Sequence, residues 1–456
     1  MKSFQADIIS SWRQRFATLV SGVSLPLFLV WALYSAYVFL HVEALIPDER
    51  DFVILANTLP LSDMVTRAPL AWYGSLFWVS LKVAGSAHIA RAAVLLMFVL
   101  TPWLLLRTVA EPRMRTPVLV VWLSMPIAWW GGKLIAPEIP IMFLVALALY
   151  LFDRGRLKAA AIALAAATAC KISALPAVMF FAVAYGLQPV ANWSHKLRQA
   201  PQLAGVFVLT LFLLCPPLLA IITELGTQPA QLAQGALLAR IDTSLLAYRW
   251  EWDGVFSGGV LHFSLMPMPL ALVAVGMLIR DLRMFAAAAV SAGAFLYMNI
   301  NSPTAYGWYW IAYFPIFLYA LSRQRDSGIG AGIPWCAVLY LAAACNAAQQ
   351  LPLIVDQAYQ RIEQIRILNK RDEILSCINQ KLDELKPASV YNLAEFGLTL
   401  QRDVPVYATP GPGADEADVR LIGTRMLVGR RMTYGPWPQA GRLYATCDAV
   451  MIFTRN

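Results

Sequence analysis

Charged residues are scarce in this sequence. Only 14% of the 456 residues are Asp, Glu, Lys or Arg, against roughly 25% in an ordinary soluble domain. Hydrophobic residues make up 59%, above the roughly 45–50% that is typical of such domains. This balance excludes an ordinary soluble globular protein and indicates a chain that resides in a membrane.

Histidine and cysteine are also few. The chain has 4 His, and none has the paired spacing of zinc ligands, which argues against a built-in zinc site. Of the 6 Cys, most fall in apolar segments, where cysteine behaves as a small hydrophobic residue. Cys377 and Cys447 are the exceptions, and they invite a disulfide if their compartment is oxidising.

Signatures of several other protein classes are missing. The sequence has no nucleotide-binding fingerprint and no internal repeat, and transporters built from inverted repeats would carry the latter. The net charge is +9, but the basic residues are scattered and form no basic helix or zinc-finger spacing, so nucleic-acid binding is not indicated. The excess is typical of positive-inside bias and of attraction to anionic membrane lipids.

Apolar segments of membrane-spanning length dominate the first three quarters of the chain. The first follows Lys2, Arg13 and Arg15 and exceeds the core of a signal peptide, which predicts a cytoplasmic N-terminus. We predict about eleven transmembrane helices. They lie near residues 23–42, 89–106, 117–130, 140–152, a pair within 159–187, 203–222, 260–278, 284–298, 309–321 and 333–348.

Residues 159–187 decide the topology of every later span. One straight helix would place six basic loop residues outside, whereas a hairpin broken near residues 171–176 places all six inside. The positive-inside rule favours the hairpin, which puts the polar tail on the outer face. The six residues are Lys196, Arg198, Arg280, Arg283, Arg323 and Arg325.

Two outer segments are longer than simple connections. In the first loop, residues 44–88, the apolar positions Phe52, Leu55, Ala56 and Leu59 have helical spacing and predict a helix at the membrane interface. A second aromatic-rich piece follows Pro69. The other long segment, residues 223–259, carries charged residues among tryptophans, and long loops of this kind are usually functional or disordered.

The polar tail, residues 349–456, is predicted to be a small α/β domain on the outer face. Ile374, Ile378, Leu382 and Leu385 have helical spacing, and Pro387 ends that run. Short β-rich pieces follow near residues 389–393, 404–408, 419–422 and 449–453.

Several short motifs resemble GT-C membrane glycosyltransferases related to protein O-mannosyltransferases and lipid A aminoarabinose transferases. Pro47-Asp48-Glu49, followed by Arg67-Ala68-Pro69-Leu70-Ala71-Trp72-Tyr73, is similar to the first outer loop of that family. Pro137-Glu138 is similar to its second acidic site, where Asp is commoner. Thr168-Ala169-Cys170-Lys171 resembles its turn between short helices, with the Thr displaced by two positions. Residues 306–315 are similar to the aromatic start of a late span.

The resemblance implies a mainly α, polytopic GT-C-like domain at residues 1–348. It also implies transfer of a sugar from a polyprenyl-phosphate donor to a glycolipid, lipopolysaccharide, or exported or membrane protein, usually with inversion. The expected location is a bacterial inner membrane, with the tail in the periplasm. No cofactor is required, although two carboxylates and a phosphate could share Mg²⁺, so metal dependence stays open.

Site residues follow from the same chemistry. Asp48, Glu49 and Glu138 are candidate catalytic residues, because a partly desolvated carboxylate is a suitable general base. His262 and Tyr306 are candidates for the substrate pocket. Cations complement the charge of a donor phosphate; the candidates are Arg67, Lys133, Lys171, Arg240 and Arg249.

Each candidate has a structural alternative. Asp48 could be the N-cap of the interfacial helix, and Glu138 could merely mark the start of a span. Lys171 could reach the lipid headgroups by snorkelling; if it instead contacts phosphate, Lys171→Met should weaken donor binding without loss of folding yield. The other cations could be solvated interfacial charges, and His262 could be a polar core residue.

Two further functional classes compete with the transferase. A lipid-carrier flippase or other transporter would distribute polar residues through its spans. A glycan polymerase or ligase of GT-C-like fold, or a membrane scaffold without activity, would share the overall layout. The acidic outer loop together with a folded tail favours transfer over transport.

Overall fold

The structure, a computed structural model, describes part of the chain. The described residues are 24–40, 47–66, 74–109, 112–124, 128, 135–188, 193–217, 282–300, 314–322, 339–340, 343–344, 370–393, 406–407, 417–423, 442–448 and 450–454. They are mostly helical. The helices are α1 (Ser24–Leu40), α2 (Pro47–Thr58), α3 (Leu61–Thr66), α4 (Ser75–Ala84), α5 (Ala87–Thr108), α6 (Arg115–Leu123), α7 (Glu138–Asp153), α8 (Leu157–Cys170), α9 (Leu175–Leu187), α10 (Trp193–Leu214), α11 (Leu282–Ile300), α12 (Phe314–Ser322) and α13 (Arg371–Leu385).

Most predicted spans that fall on described residues are helical, within a few residues of the expected bounds. Helix α10 differs, because it begins at Trp193, ten residues before the predicted start of its apolar run. Two described helices, α5 and α10, are long and apolar enough to cross a membrane by length and composition. The predicted span at 260–278 lies outside the described residues, so the total of about eleven remains a prediction.

An aromatic cluster joins three of the helices. Trp31 of α1 contacts Phe98 of α5 and Trp122 of α6, with ring centroids 5.4 and 5.9 Å away. The indole nitrogen of Trp31 donates to the carbonyl of Ala128 at 2.6 Å. All three rings are buried, and aromatic pairs at such distances each contribute about 0.5–1.5 kcal/mol beyond their burial. Helix α7 packs against both α5 and α8, which extends this core.

Lys196 ties the end of α9 to the start of α10. Its Nζ donates to the carbonyls of Gly186 and Gln188, each at 2.8 Å. The ammonium also lies 4.9 Å from the ring centroid of Trp193 and 5.3 Å from that of Tyr185. The last carbonyls of a helix lack partners within it, so a cation at this end stabilises the joint.

The chain reverses direction at Lys171. At its other end α10 lies beside the end of α8, because Leu211 and Cys215 share a buried cluster with Ala165 and Ala169. Helix α10 starts just after the end of α9, packs along α8 and ends beside the last residues of α8. The end of α9 therefore lies near the start of α8. Helix α9 must then run antiparallel to α8. The break expected near residues 171–176 is confirmed, and the side of a membrane that the turn faces stays a prediction.

The described part of the tail contains the strands β1 (Val390–Leu393), β2 (Val406–Tyr407), β3 (Val419–Gly423), β4 (Arg442–Cys447) and β5 (Val450–Thr454). They form one sheet in the order β2-β1-β3-β5-β4. Strand β1 is parallel to β2 and β3, whereas β5 is antiparallel to β3 and β4. Helix α13 packs its apolar side on the sheet through Ile374, Ile378 and Leu382.

Strand β4 was not among the β-rich pieces predicted from the sequence. The other four strands fall on the predicted β-rich pieces. Strand β4 exposes Arg442, Tyr444 and Thr446, whereas the alternate positions Leu443, Ala445 and Cys447 become progressively more buried. Its residues therefore do alternate as in a half-buried strand, and the pattern was overlooked. The predicted boundary of the tail at residue 349 lies outside the described residues.

Exposed polar contacts join α13 to β4. The Glu384 carboxylate accepts hydrogen bonds from Lys381 Nζ and from the Tyr444 hydroxyl, both at 2.8 Å. These two bonds, that of Lys381 first, hold the pKa of the Glu384 carboxyl below its ordinary value.

Cys377 and Cys447 form a disulfide between α13 and β4, with their Cα atoms 5.8 Å apart. The sequence left this pairing open. Because the bridge spans 70 residues, it restricts the unfolded tail strongly, and losing it from a small domain costs about 2–5 kcal/mol.

We expect Cys447→Ser to make the tail more sensitive to proteolysis, because the unfolded tail regains conformational freedom. Limited proteolysis of the whole purified chain, followed by mass analysis, measures the rate of cutting after residue 370. Cys215→Ala is the matched control, since Cys215 is a buried free cysteine outside the tail. Equal cutting rates in the two variants would show that the bridge contributes nothing to the tail.

Candidate functional site

The turn between α8 and α9 brings two opposite charges together. Lys171 Nζ donates to Glu138 Oε1 at 2.5 Å. Both residues are buried, with 1% and 4% of their surfaces exposed. Glu138 is the first residue of α7, and Lys171 directly follows α8. An ion pair between groups 33 residues apart in the chain therefore forms where these two helix ends meet.

Local sequence explains the break at Lys171. Helix α8 is rich in alanine, the best helix former, and continues to Cys170. Lys171 is extended, with φ −164° and ψ 138°. A single 3₁₀ turn, Ile172–Ala174, follows, and α9 begins with Pro176 in its first turn, a position where proline is well tolerated. The extended backbone at Lys171 thus separates α8 from α9.

The end of the first loop is attached to this break. The backbone N–H of Gly74 donates to the carbonyl of Cys170 at 2.9 Å, immediately before Lys171. A Cβ atom added to Gly74 would overlap the carbonyl oxygen of Ala169. Only glycine allows this approach without movement of one of the two backbones.

A small buried cluster surrounds this contact. The Ser75 hydroxyl donates to the carbonyl of Val65 at 3.3 Å and lies 3.8 Å from the sulfur of Cys215. Ala169 and Ile172 pack beside Cys215 in the same cluster. The first loop, the Lys171 turn and the end of α10 therefore converge at one place, which we call the Lys171 junction.

Replacing Gly74 with Ala is expected to push α4 away from α8 at the Lys171 junction. Forcing extra atoms into a packed interior typically costs about 1–3 kcal/mol. Thermal unfolding of the purified chain in detergent measures this loss. Gly205→Ala is the matched control, because a Cβ there meets nothing within 4 Å. If Gly74→Ala unfolds at the same temperature as Gly205→Ala, the close approach is not a constraint.

Burial makes the Glu138–Lys171 pair energetically sensitive. Moving either charge out of water costs several kcal/mol, and their mutual attraction offsets that cost only while both partners are present. A pair of this kind contributes little net stability, yet removal of one partner costs about 3–5 kcal/mol because the other charge stays buried. A third charged group that approached either partner would therefore change the energy of the pair.

The acidic motif lies at the start of α2. The helix begins at Pro47, so Asp48 and Glu49 lie within its first turn. Asp48 is thus the second residue of α2, and its side-chain contacts lie outside the described residues, so the N-cap alternative stays a prediction. Acidic residues in a first turn are favoured by the helix dipole, so the position suits both a structural and a chemical role.

Two alternatives for the buried pair are corrected. Lys171 does not snorkel, because its side chain is enclosed and contacts Glu138 instead of reaching outward. Glu138 does more than mark a span start, because it holds that lysine. The remaining candidates lie outside the described residues: Arg67, Lys133, Arg240, Arg249, His262 and Tyr306.

Sequence analysis overlooked three residues near these elements. Arg91 lies within a predicted span, where a charge is a functional hypothesis by default, and it is 1% exposed. Lys82 of α4 donates to backbone carbonyls at the end of α2. Gly74 could not be recognised from a single sequence, because the backbone that requires a glycine there is that of Ala169, 95 residues further along the chain.

Within the described ranges, no group of three or more His, Cys, Asp or Glu could hold a metal ion.

The similarity of this chain to known proteins is structural. No family model matches the chain, and no curated protein does. Two solved structures of ArnT from Cupriavidus metallidurans are similar. The apo structure has a TM-score of 0.43 and 12% identity, covering 98% of each chain. The structure bound to undecaprenyl phosphate has a TM-score of 0.42 and 14% identity, covering 96% of this chain and 97% of that one. Similarity at this level assigns neither a family nor an activity.

Proposed function

We propose that the chain is an integral membrane glycosyltransferase of GT-C type. It moves a sugar from a polyprenyl-phosphate donor to a glycolipid, lipopolysaccharide, or exported or membrane protein at the extracytoplasmic face, with inversion. The observation that carries the proposal is the Lys171 junction, where Gly74 contacts Cys170 and Lys171 pairs with Glu138. Two motifs that resemble the GT-C family meet there, Pro137-Glu138 and the one from Thr168 to Lys171. Gly74 directly follows a third such motif, which ends at Tyr73.

Lys171 binds the donor phosphate in this proposal. An ammonium has three N–H donors, and Glu138 Oε1 accepts one of them. A phosphate that reaches Lys171 competes with Glu138 for the cation. A hydrogen bond to a charged group contributes about 1.5–3 kcal/mol, enough for phosphate to shift the balance within the buried pair. Glu138 then becomes available to orient the sugar or the acceptor.

Asp48 and Glu49 act on the acceptor. One carboxylate takes the proton of the acceptor hydroxyl while the oxygen of that hydroxyl bonds to the anomeric carbon of the sugar. The bond from that carbon to the phosphate oxygen breaks, and the lipid phosphate leaves with the electron pair. Positive charge that develops on the sugar is stabilised by nearby carboxylates. General-base catalysis of this kind contributes about a hundred- to ten-thousandfold in rate.

The tail and the reversal at Lys171 support the proposed compartment. A disulfide persists in oxidising compartments such as the bacterial periplasm, and Cys377 and Cys447 are joined. An antiparallel α8–α9 pair returns the chain to its earlier side, which together with the predicted later spans and the positive-inside rule supports a first loop and a tail on the same side. These features support a bacterial inner-membrane protein with an acceptor site facing the periplasm.

The direct test is a transfer assay with purified protein. The protein is incubated with polyprenyl-phosphate sugars, with and without candidate acceptors, and release of free lipid phosphate is measured. We expect release that depends on an acceptor and matches the sugar transferred one to one. Release of lipid phosphate with no acceptor consumed, or movement of intact donor across vesicles without release, would contradict the proposal, and the second result would favour a flippase.

A further inference from the structure

Lys82 joins two parts of the candidate site that are far apart in the chain. It lies near the end of α4, and its Nζ donates to the carbonyls of Leu59 at 2.7 Å and Ala56 at 3.2 Å. A third, longer contact reaches the carbonyl of Asn57 at 3.5 Å. These carbonyls belong to the last turn of α2 and the residue just beyond it, where helix carbonyls lack intrahelical partners and a cation is favoured.

Helix α4 is fixed at its other end by the Lys171 junction. Gly74, the residue before α4, donates to the Cys170 carbonyl. Eight residues separate Gly74 from Lys82, which corresponds to about 12 Å along a helix. Helix α4 therefore acts as a spacer of set length between the end of α2 and the turn that carries Lys171.

Side-chain packing supports the same arrangement. Phe52 of α2 contacts Phe77 and Trp78 of α4, with ring centroids 5.5 and 6.0 Å apart. Both rings of α4 are buried. This packing holds the middle of α2 against α4, whereas the Lys82 contacts hold its end and so restrict rotation of α2 about the aromatic contact.

The acidic residues lie at the opposite end of α2 from this anchor. Helix α2 has 12 residues and is about 18 Å long. A rotation of only about 10° at the anchored end would move the first turn by about 3 Å, given that length. Displacements of about 1 Å at a reacting centre can cost about a hundredfold in rate.

We propose that Lys82 is a positioning residue that sets the distance between the acidic first turn of α2 and Lys171. It acts through the carbonyls of α2 and touches neither donor nor acceptor. The inference rests on the proposed function for its effect on catalysis, but its geometric part stands alone. Loss of Lys82 lowers turnover without weakening donor binding, because Lys171 stays in place.

The experiment measures geometry and kinetics separately. Spin labels are attached to Arg50→Cys in α2 and to His88→Cys, an exposed position at the start of α5, with the free cysteines replaced by Ala. Electron–electron double resonance gives the distance distribution between the labels. We expect Lys82→Met to shift or broaden this distribution and Lys82→Arg, which keeps cationic donors, to restore it. Lys158→Met, at an exposed position of α8, leaves it unchanged.

Kinetics on unlabelled protein completes the test. Lys82→Met should lower turnover at least about tenfold while the Kd for polyprenyl phosphate stays at the parent value, since mispositioning acts on the chemical step. Should Lys82→Met not fold, Lys82→Gln replaces it in both measurements. An unchanged distance distribution would overturn the inference whatever the kinetics. If the parent protein transfers no sugar, the proposed function fails while the distance measurement still decides the role of Lys82.

Discussion

Lys171→Met is expected to lower the free energy of unfolding by about 3–5 kcal/mol, because it leaves the Glu138 carboxylate buried without its cation. The structure changes the sequence-based expectation here. From the sequence alone, a Lys171 that contacts phosphate is expected to be replaceable by Met without loss of folding yield, whereas a lysine enclosed with Glu138 is not. Thermal unfolding and yield of purified protein in detergent measure the effect.

The double variant Glu138→Met/Lys171→Met should recover most of that stability. Replacing a buried ion pair with apolar residues of similar volume is often neutral or stabilising. Lys196 offers the matched control, because it is the other described lysine that is deeply buried. Its partners are the carbonyls of Gly186 and Gln188, so adding Glu138→Met should not rescue Lys196→Met. Recovery in both backgrounds, or in neither, would mean that Glu138 and Lys171 are not coupled.

The second large effect concerns the first turn of α2. Asp48→Asn or Glu49→Gln is expected to lower turnover about a hundredfold or more, because general-base help at the acceptor is lost. Expression and donor binding should persist, since the proposed phosphate contact lies at Lys171. Steady-state kinetics with separate measurement of donor Kd distinguishes the two effects.

Asp63→Asn is the matched control for this pair. Asp63 lies in the first turn of α3, in the same loop, and no catalytic role is proposed for it, so its turnover should equal that of the parent. Near-normal turnover in both Asp48→Asn and Glu49→Gln would remove the acidic pair from the mechanism. A loss in Asp63→Asn equal to theirs would indicate a general effect of loop charge.

Local features of the fold were predictable because they depend on neighbouring residues. The spacing of Phe52, Leu55 and Ala56 gave α2, and it is confirmed. Charge balance across the short loops indicated the break near Lys171, because only a hairpin places the six basic loop residues inside, as the positive-inside rule requires. Cys377 and Cys447 could be singled out as candidates, but their disulfide could not be predicted, because sequence does not give the distance between their Cα atoms.

Contacts between distant segments were not predictable. Glu138 and Lys171 were each singled out for chemistry, yet nothing in the chain indicated that one would hold the other. Gly74 and Lys82 were missed for the same reason, because their roles depend on backbone atoms of α8 and α2. The start of α10 was misplaced because hydropathy marks the apolar part of a helix, while its first turns are polar and are held by Lys196.

The most direct measurement is the Kd of polyprenyl phosphate for the folded Glu138→Met/Lys171→Met variant. This variant removes the cation without leaving an unpaired carboxylate, so any change in binding reports the phosphate contact. We expect binding about ten- to a hundredfold weaker than in the parent, since a hydrogen bond to a charged group contributes about 1.5–3 kcal/mol. Lys158→Met should bind like the parent. If the double variant binds polyprenyl phosphate as tightly as the parent, the Lys171 junction is not the donor-phosphate site.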